Sequence, residues 1–213
     1  MLRYHSRHKQ TTTRLSGFTL METMVAMAIF SLALAILYNF YLQGMGSQRY
    51  TTEQAQAVNS LRQGTETMVR ELREARYGDD GTYILVDAQD QEIIFFSDVD
   101  TDNTTEKVRY FLDGTTLKKG VTNPIGDPPT YVGGVESITE LSPYVRNGSD
   151  PIFVYYNGGY PGDVINNPLP TPSRLTDTKM VQLRLLVNVD VNRAPDSLEV
   201  ISNVQIRNLK TNL

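Results

Sequence analysis

The sequence predicts an α+β chain, one long N-terminal helix followed by an antiparallel β-rich globular head. Three observations predict it. Residues 18–42 are an apolar run interrupted by one charge, Glu22. Hydrophobic positions then continue at helical spacing as far as Ala75. From Tyr83 onward the pattern changes to alternating β-branched and aromatic residues punctuated by Gly, Pro and Asn.

As a helix, residues 18–42 span about 37 Å at about 1.5 Å per residue, more than the roughly 30 Å of a bilayer's hydrocarbon core. Ahead of them, Arg3, Arg7, Lys9 and Arg14 stand in a segment with no acid. That bias puts the N-terminus on the cytoplasmic side of a single-pass membrane protein and the head outside. Three readings compete. A secretory signal cut after Gly46 fits poorly, because such h-regions run only about 7–15 residues. An uncleaved signal anchor fits the length. The third reading is a cut at the cytoplasmic edge, between Gly17 and Phe18.

Beyond the apolar run, Val58, Leu61, Thr65, Met68, Leu72 and Ala75 recur at spacings of three and four. Arg62, Glu66, Arg70, Arg73 and Glu74 take the other face. The stripe reads as a core-facing surface, with a seam to another helix as the sharper alternative. One helix from near Phe18 to near Tyr77 would measure about 90 Å. Gly44, Gly46 and Gly64 each cost it about 1 kcal/mol relative to Ala, and bends are expected there. The turn-rich "RYGDDGTY" ends it.

Strands are expected at 83–86, 92–96, 107–112, 116–119, 135–141, 152–156, 180–189 and 198–207. Asp113-Gly114 marks a short hairpin between the third and fourth. Residues 121–134 and 157–173 read as exposed loops, and the second is long enough to suggest a purpose.

Composition removes several function classes. Four of the 20 basic residues lie ahead of the apolar run, so the remainder is more acidic than the overall charge of −4, and nucleic acid is not expected as its main partner. There is no Cys, and both histidines, His5 and His8, precede the apolar run. Most nucleophilic triads and zinc sites are thereby unavailable. No phosphate-binding, nucleophile-elbow or metalloprotease motif appears, so the chain is not expected to be an enzyme.

"GFTLMETMVAMAIF" resembles the prepilin processing motif of type IV pilins and type II secretion pseudopilins. In that family a dedicated peptidase cuts after a Gly preceding an aromatic residue and methylates the new N-terminus. The resemblance implies that Gly17 is the last leader residue, that Phe18 becomes the N-methylated terminus, and that Glu22 is the glutamate at the fifth mature position. Thr19, Leu20, Val25 and Ala26 also match, while Met21 stands where Ile or Leu is commoner. A pilin-like fold follows from the resemblance. It divides into a leader (1–17), a transmembrane and assembly helix (18–42), an amphipathic continuation (43–77) and a head (78–213).

The same resemblance implies that Glu22 pairs with the new amino group of an adjacent subunit. Opposite charges attract far more strongly in a low dielectric, where each alone carries a heavy desolvation cost. Implied partners are the prepilin peptidase, other pilins or pseudopilins, inner-membrane assembly machinery and membrane lipid. "IIFFSDVD", "EKVRYFLDGTTLKKG", "PIFVYYNG" and "NVQIRNL" resemble J-type minor pseudopilins and W-type minor pilins. This implies a minor subunit active in filament initiation or at the tip. The alternative is a membrane-anchored or filament-borne binding module for adhesion or DNA uptake. Pilus, secretion and competence systems are not separated by the sequence.

Two further candidates carry a blander alternative each. Asp98, Asp100, Asp102 and Glu106 resemble the opening of a calcium loop, making calcium the one candidate cofactor. However, Asn103 replaces the turn glycine and Arg109 stands where a bidentate Glu belongs, so solvated hairpin acids are the stronger expectation. Tyr155, Tyr156 and Tyr160 could present a sugar-binding or adhesive surface, against the commoner role of packing a strand.

Overall fold

The structure, a computed structural model, describes residues 17–194 and 196–209. The leader ahead of Gly17, with His5 and His8, lies outside the described residues. Helix α1 runs over Leu20–Arg73 as one element, through Gly44, Gly46 and Gly64. The strands are β1 (Leu85–Ala88), β2 (Glu92–Ser97), β3 (Glu106–Asp113), β4 (Thr116–Thr122), β5 (Glu136–Ser142), β6 (Phe153–Tyr156), β7 (Met180–Val187) and β8 (Leu198–Gln205). A short helix, α2 (Arg174–Asp177), precedes β7. The chain divides into two compact units, Met1–Arg49 and Tyr50–Leu213.

In the first unit the helix has no core of its own. Its large apolar side chains, from Leu20 to Leu42, are exposed all round. The polar side chains turn back onto their own helix. Thr23 Oγ1 donates to the Leu20 carbonyl at 2.8 Å, Ser31 Oγ to Met27 at 2.8 Å and Asn39 Nδ2 to Ala35 at 2.9 Å. Groups satisfied this way lose little when water is removed. The helix is long and apolar enough to cross a membrane.

In the second unit the helical stripe is a core face. Leu61, Thr65, Met68, Leu72 and Ala75 are buried, and Val58 is half-buried. Arg62, Glu66, Arg70, Arg73 and Glu74 are exposed. Gly64 is buried on the inner face, where an added Cβ would lie 3.3 Å from Leu141 Cβ, so its role here is close approach of helix and strand. The buried face meets two antiparallel sheets, ordered β1-β2-β3-β4-β5 and β6-β7-β8. Val145 pairs with Val187, and Asn147 donates to the Arg184 carbonyl while accepting from Leu186 N–H, linking the β5–β6 connection to β7.

Four strands depart from expectation by two residues or more: β7 and β8 each end two residues early, and β4 and β1 differ as follows. β4 continues past Lys119 because Gly120, Val121 and Thr122 pair with Ile138, Ser137 and Glu136. A glycine that reads as loop in isolation is here a mid-sheet residue. β1 lies two residues beyond its expected position and carries a register irregularity between Leu85 and Asp87. The Asp113-Gly114 hairpin forms as expected, with Asp113 opposite Thr116 and Gly114 at φ 61. Helix α1 ends at Arg73 rather than near Tyr77, and Ala75 N–H closes the last turn on the Leu72 carbonyl.

Among the described residues two carboxylates are buried, Glu71 and Glu106. Glu71 accepts from the Tyr110 hydroxyl at 2.6 Å and from Lys119 Nζ at 2.6 Å. Burial first, then the neighbouring Glu71 carboxylate, holds the Tyr110 phenol far above its ordinary range.

Candidate assembly site at the start of the helix

Gly17, Phe18 and Thr19 precede the first helical residue, and Phe18 is 78% exposed. Thr19 is the N-cap of α1. Its Oγ1 accepts a hydrogen bond from Glu22 N–H at 3.3 Å, and its carbonyl accepts from Glu22 and Thr23 N–H, each at 3.1 Å. Thr19-Leu20-Met21-Glu22 has the capping-box sequence and forms its Thr19 half, with Glu22 at the third helical position. A carboxylate there also meets the positive end of the helix dipole. Phe18, Thr19, Met21, Glu22, Val25, Ala26 and Ile29 line a shallow depression of mainly apolar surface. Among the described residues, the Glu22 carboxylate makes no ion pair. The start of the helix thus presents an apolar surface with one carboxylate beside Phe18.

The family described as "Prokaryotic N-terminal methylation motif" matches residues 13–38. The start of the chain carries this N-terminal methylation motif. That match spans the Gly17–Phe18 bond, Glu22 and most of the exposed apolar helix. No curated protein sequence matches this chain. Among solved structures, a chain of the GspK-GspI-GspJ complex from the enterotoxigenic Escherichia coli Type 2 Secretion System is similar to it, with TM-score 0.46 and 14% identity, covering 71% of this chain and 97% of that one. Nothing about activity or partners follows from a likeness this distant.

Elsewhere in the chain, the acidic loop is only partly assembled. Carboxylate oxygens of Asp98, Asp100 and Glu106 lie within 4.8 Å of one another, and Asp102 is not among them. Each acid already has local work. Asp98 pairs with Arg76 at 2.8 Å and accepts from Thr101 N–H at 2.7 Å. Asp102 accepts from the N–H and hydroxyl of Thr104, and these bonds lower its pKa. Glu106 accepts from Val99 N–H and the Thr104 hydroxyl. Its pKa is nevertheless raised, chiefly by burial. These contacts describe a turn closed by its own acids, with Thr101 and Asn103 at positive φ.

The tyrosines do not form one platform. Tyr155 is buried, donating to the Gln89 carbonyl at 2.8 Å, while Tyr156 and Tyr160 pack ring to ring at 4.2 Å. The long loop around Tyr160 is ordered by Asp163, which accepts from Asn157 and Asn166 side chains. In the sequence Thr19 stands out only as part of the motif and Glu71 is not singled out, although the capping role of the one and the burial of the other each had a signal. Thr19 and Glu22 spell the T-x-x-E capping pattern. Glu71 falls three residues after Met68 and ten after Leu61, a charge at the spacing of the apolar stripe.

Proposed function

We propose that this chain is a minor pilin or pseudopilin, cut between Gly17 and Phe18, N-methylated on Phe18, and built into a filament in which Glu22 pairs with the α-amino group of a neighbouring subunit. It acts as a structural subunit, with a role in filament initiation or at the tip. The observation that carries the reading is the methylation motif lying on an exposed apolar helix start whose one acid follows Phe18 by four residues. Cleavage at Gly17 would create a cation beside this carboxylate in apolar surroundings. Pairing across subunits would then offset the desolvation cost of both charges.

Mass spectrometry of the mature N-terminus tests the processing step. N-methyl-Phe18 is expected, and a chain beginning at Ser47 or retaining its leader would overturn it. The cap geometry supplies a sharper test of Glu22. Glu22→Gln keeps a side chain suited to the third helical position but removes the charge. The variant should enter the membrane normally and be depleted from purified filaments. Incorporation at the wild-type level would reject the charge pair and leave Glu22 as a helix cap alone.

A further inference from the structure

We infer that β8 is an open pairing edge through which two copies of this head join, strand to strand and antiparallel, about Ile201. The two sheets have four edges, and three are closed in recognisable ways. β1 is four residues long, carries a register irregularity, and has Arg174 donating to its Ala88 carbonyl. β5 presents Glu136 and Glu140, is paired irregularly with β4, and is followed at once by Pro143. β6 is four residues long, and its outer side is occupied. Phe153 N–H donates to the Asp90 carbonyl, and the Tyr155 carbonyl accepts from Leu169 N–H.

Of these devices β8 has only one charge, Glu199, and that carboxylate is paired with Arg184 of β7. It pairs with β7 in unbroken register over eight residues, from Leu198 opposite Val187 to Gln205 opposite Met180. It contains no Pro and no Lys. The direction of its free backbone groups follows from β7. Arg184 N–H donates to Ile152 and Leu186 N–H to the Asn147 side chain, both away from β8. Their opposite residues, Ile201 and Glu199, therefore point their own N–H and C=O groups to the open side, and Asn203 and Gln205 follow by alternation. Among the described residues nothing pairs with that side. Leu198 and Ile201 are exposed on the same strand, at 39% and 53%.

Charge selects the occupant. Asp196 and Glu199 lie at the start of β8 and Arg207 lies just past its end. A second copy running antiparallel sets the acidic end of one strand beside the basic end of the other. With Ile201 opposite Ile201, Glu199 faces Asn203 of the second copy, and the one apolar residue of the outer face is covered by itself. A parallel second copy would align Glu199 with Glu199, which is unfavourable. This inference does not depend on processing at Gly17.

The chain has no cysteine, so an introduced thiol is unique. The full-length Ile201→Cys chain, expressed in cells and mildly oxidised, should give a disulfide-linked homodimer several-fold above the turn-located control Thr115→Cys. Asn203 N–H faces outward, so Asn203→Pro removes no backbone bond to β7, only the exposed side-chain bond that Asn203 Oδ1 accepts from Gln182 Nε2, yet blocks pairing on the open side. Added to Ile201→Cys, it should reduce the homodimer to control level while protease resistance of the head is retained. Cross-linking of Ile201→Cys no greater than the control, cross-linking to a different protein only, or a homodimer indifferent to Asn203→Pro would each overturn the assignment.

Discussion

Leu32 and Leu72 sit on the same helix in opposite environments: Leu32 is 67% exposed and Leu72 is fully buried. Around Leu32 the helix is apolar on every face, and its polar side chains bond to their own backbone. Around Leu72 it is amphipathic, and polar groups on its inner face bond to the head. Gln54 accepts from Val189 N–H, and Glu71 receives Tyr110 and Lys119. A helix apolar all round needs its apolar environment supplied from outside, by lipid or by other helices; an amphipathic one makes its own. One secondary structure thus serves two solvents, and composition changes where the solvent does.

The comparison breaks most readily at its two leucines. Leu72→Ala should lower the unfolding free energy of the head by about 2–5 kcal/mol, the usual cost of a buried cavity. Leu32→Ala should leave it within about 0.5 kcal/mol. Denaturant titration of the detergent-solubilised chain, followed by tyrosine fluorescence, reads both. Equal losses would mean that the two helix segments share one core.

The glutamates sharpen the same contrast. Glu71→Gln leaves Lys119 without its counter-charge in a site where the lysine side chain is only 13% exposed, and should cost about 2 kcal/mol. Glu66→Gln, on the exposed face, should change stability by less than about 0.5 kcal/mol. A double-mutant cycle of Glu71→Gln with Lys119→Met should show strong coupling; additive losses would deny that the pair acts together.

These contrasts also locate what was legible beforehand. The stripe from Leu61 to Ala75 and the Asp113-Gly114 hairpin are set by local periodicity and turn chemistry, and both form where expected. The spacing of Glu71 on the apolar stripe hints at burial, but nothing in its neighbourhood announces its partners Tyr110 and Lys119, which arrive from strands far along the chain. Gly120 falls outside the expected strand 116–119, and Val121 and Thr122 inside the expected loop, for the same reason, since their place in the sheet depends on β5. The acidic loop shows the limit at a candidate site. Spacing suggests Asp98, Asp100, Asp102 and Glu106, whereas the turn at Thr101 and Asn103 groups Asp98, Asp100 and Glu106 and leaves Asp102 to Thr104.

Alkaline pH gives a smaller effect confined to the head. Burial raises the Tyr155 phenol well above its ordinary value, and Tyr110 likewise. In the unfolded chain these phenols ionise near pH 10. Above that pH the folded state therefore holds more protons than the unfolded one. Stability is fully present below about pH 10 and falls as pH rises, by about 1.4 kcal/mol per pH unit for each such phenol. Tyr155→Phe should make the alkaline decline shallower, at some cost from the lost bond to Gln89. An unchanged slope would show that Tyr155 does not contribute to it.

The smallest effect turns on two glycines of opposite sign. On the outer face of the five-stranded sheet, Glu136 of β5 reaches over Gly120 of β4 to Arg109 of β3 at 2.9 Å, and Arg109 also holds Glu92 at 3.1 Å. A Cβ at Gly120 would lie 2.0 Å from Glu136 Oε1, so Gly120→Ala displaces that carboxylate rather than the strand. With both partners under a third exposed, the loss should be about 1 kcal/mol or less. Gly44, in the exposed part of α1, meets nothing within 4 Å, and Gly44→Ala should strengthen the helix by up to about 1 kcal/mol. If the displaced carboxylate is the cause, Glu136→Gln and Gly120→Ala should be non-additive. Full additivity would place the cost of the alanine in the backbone of β4 instead.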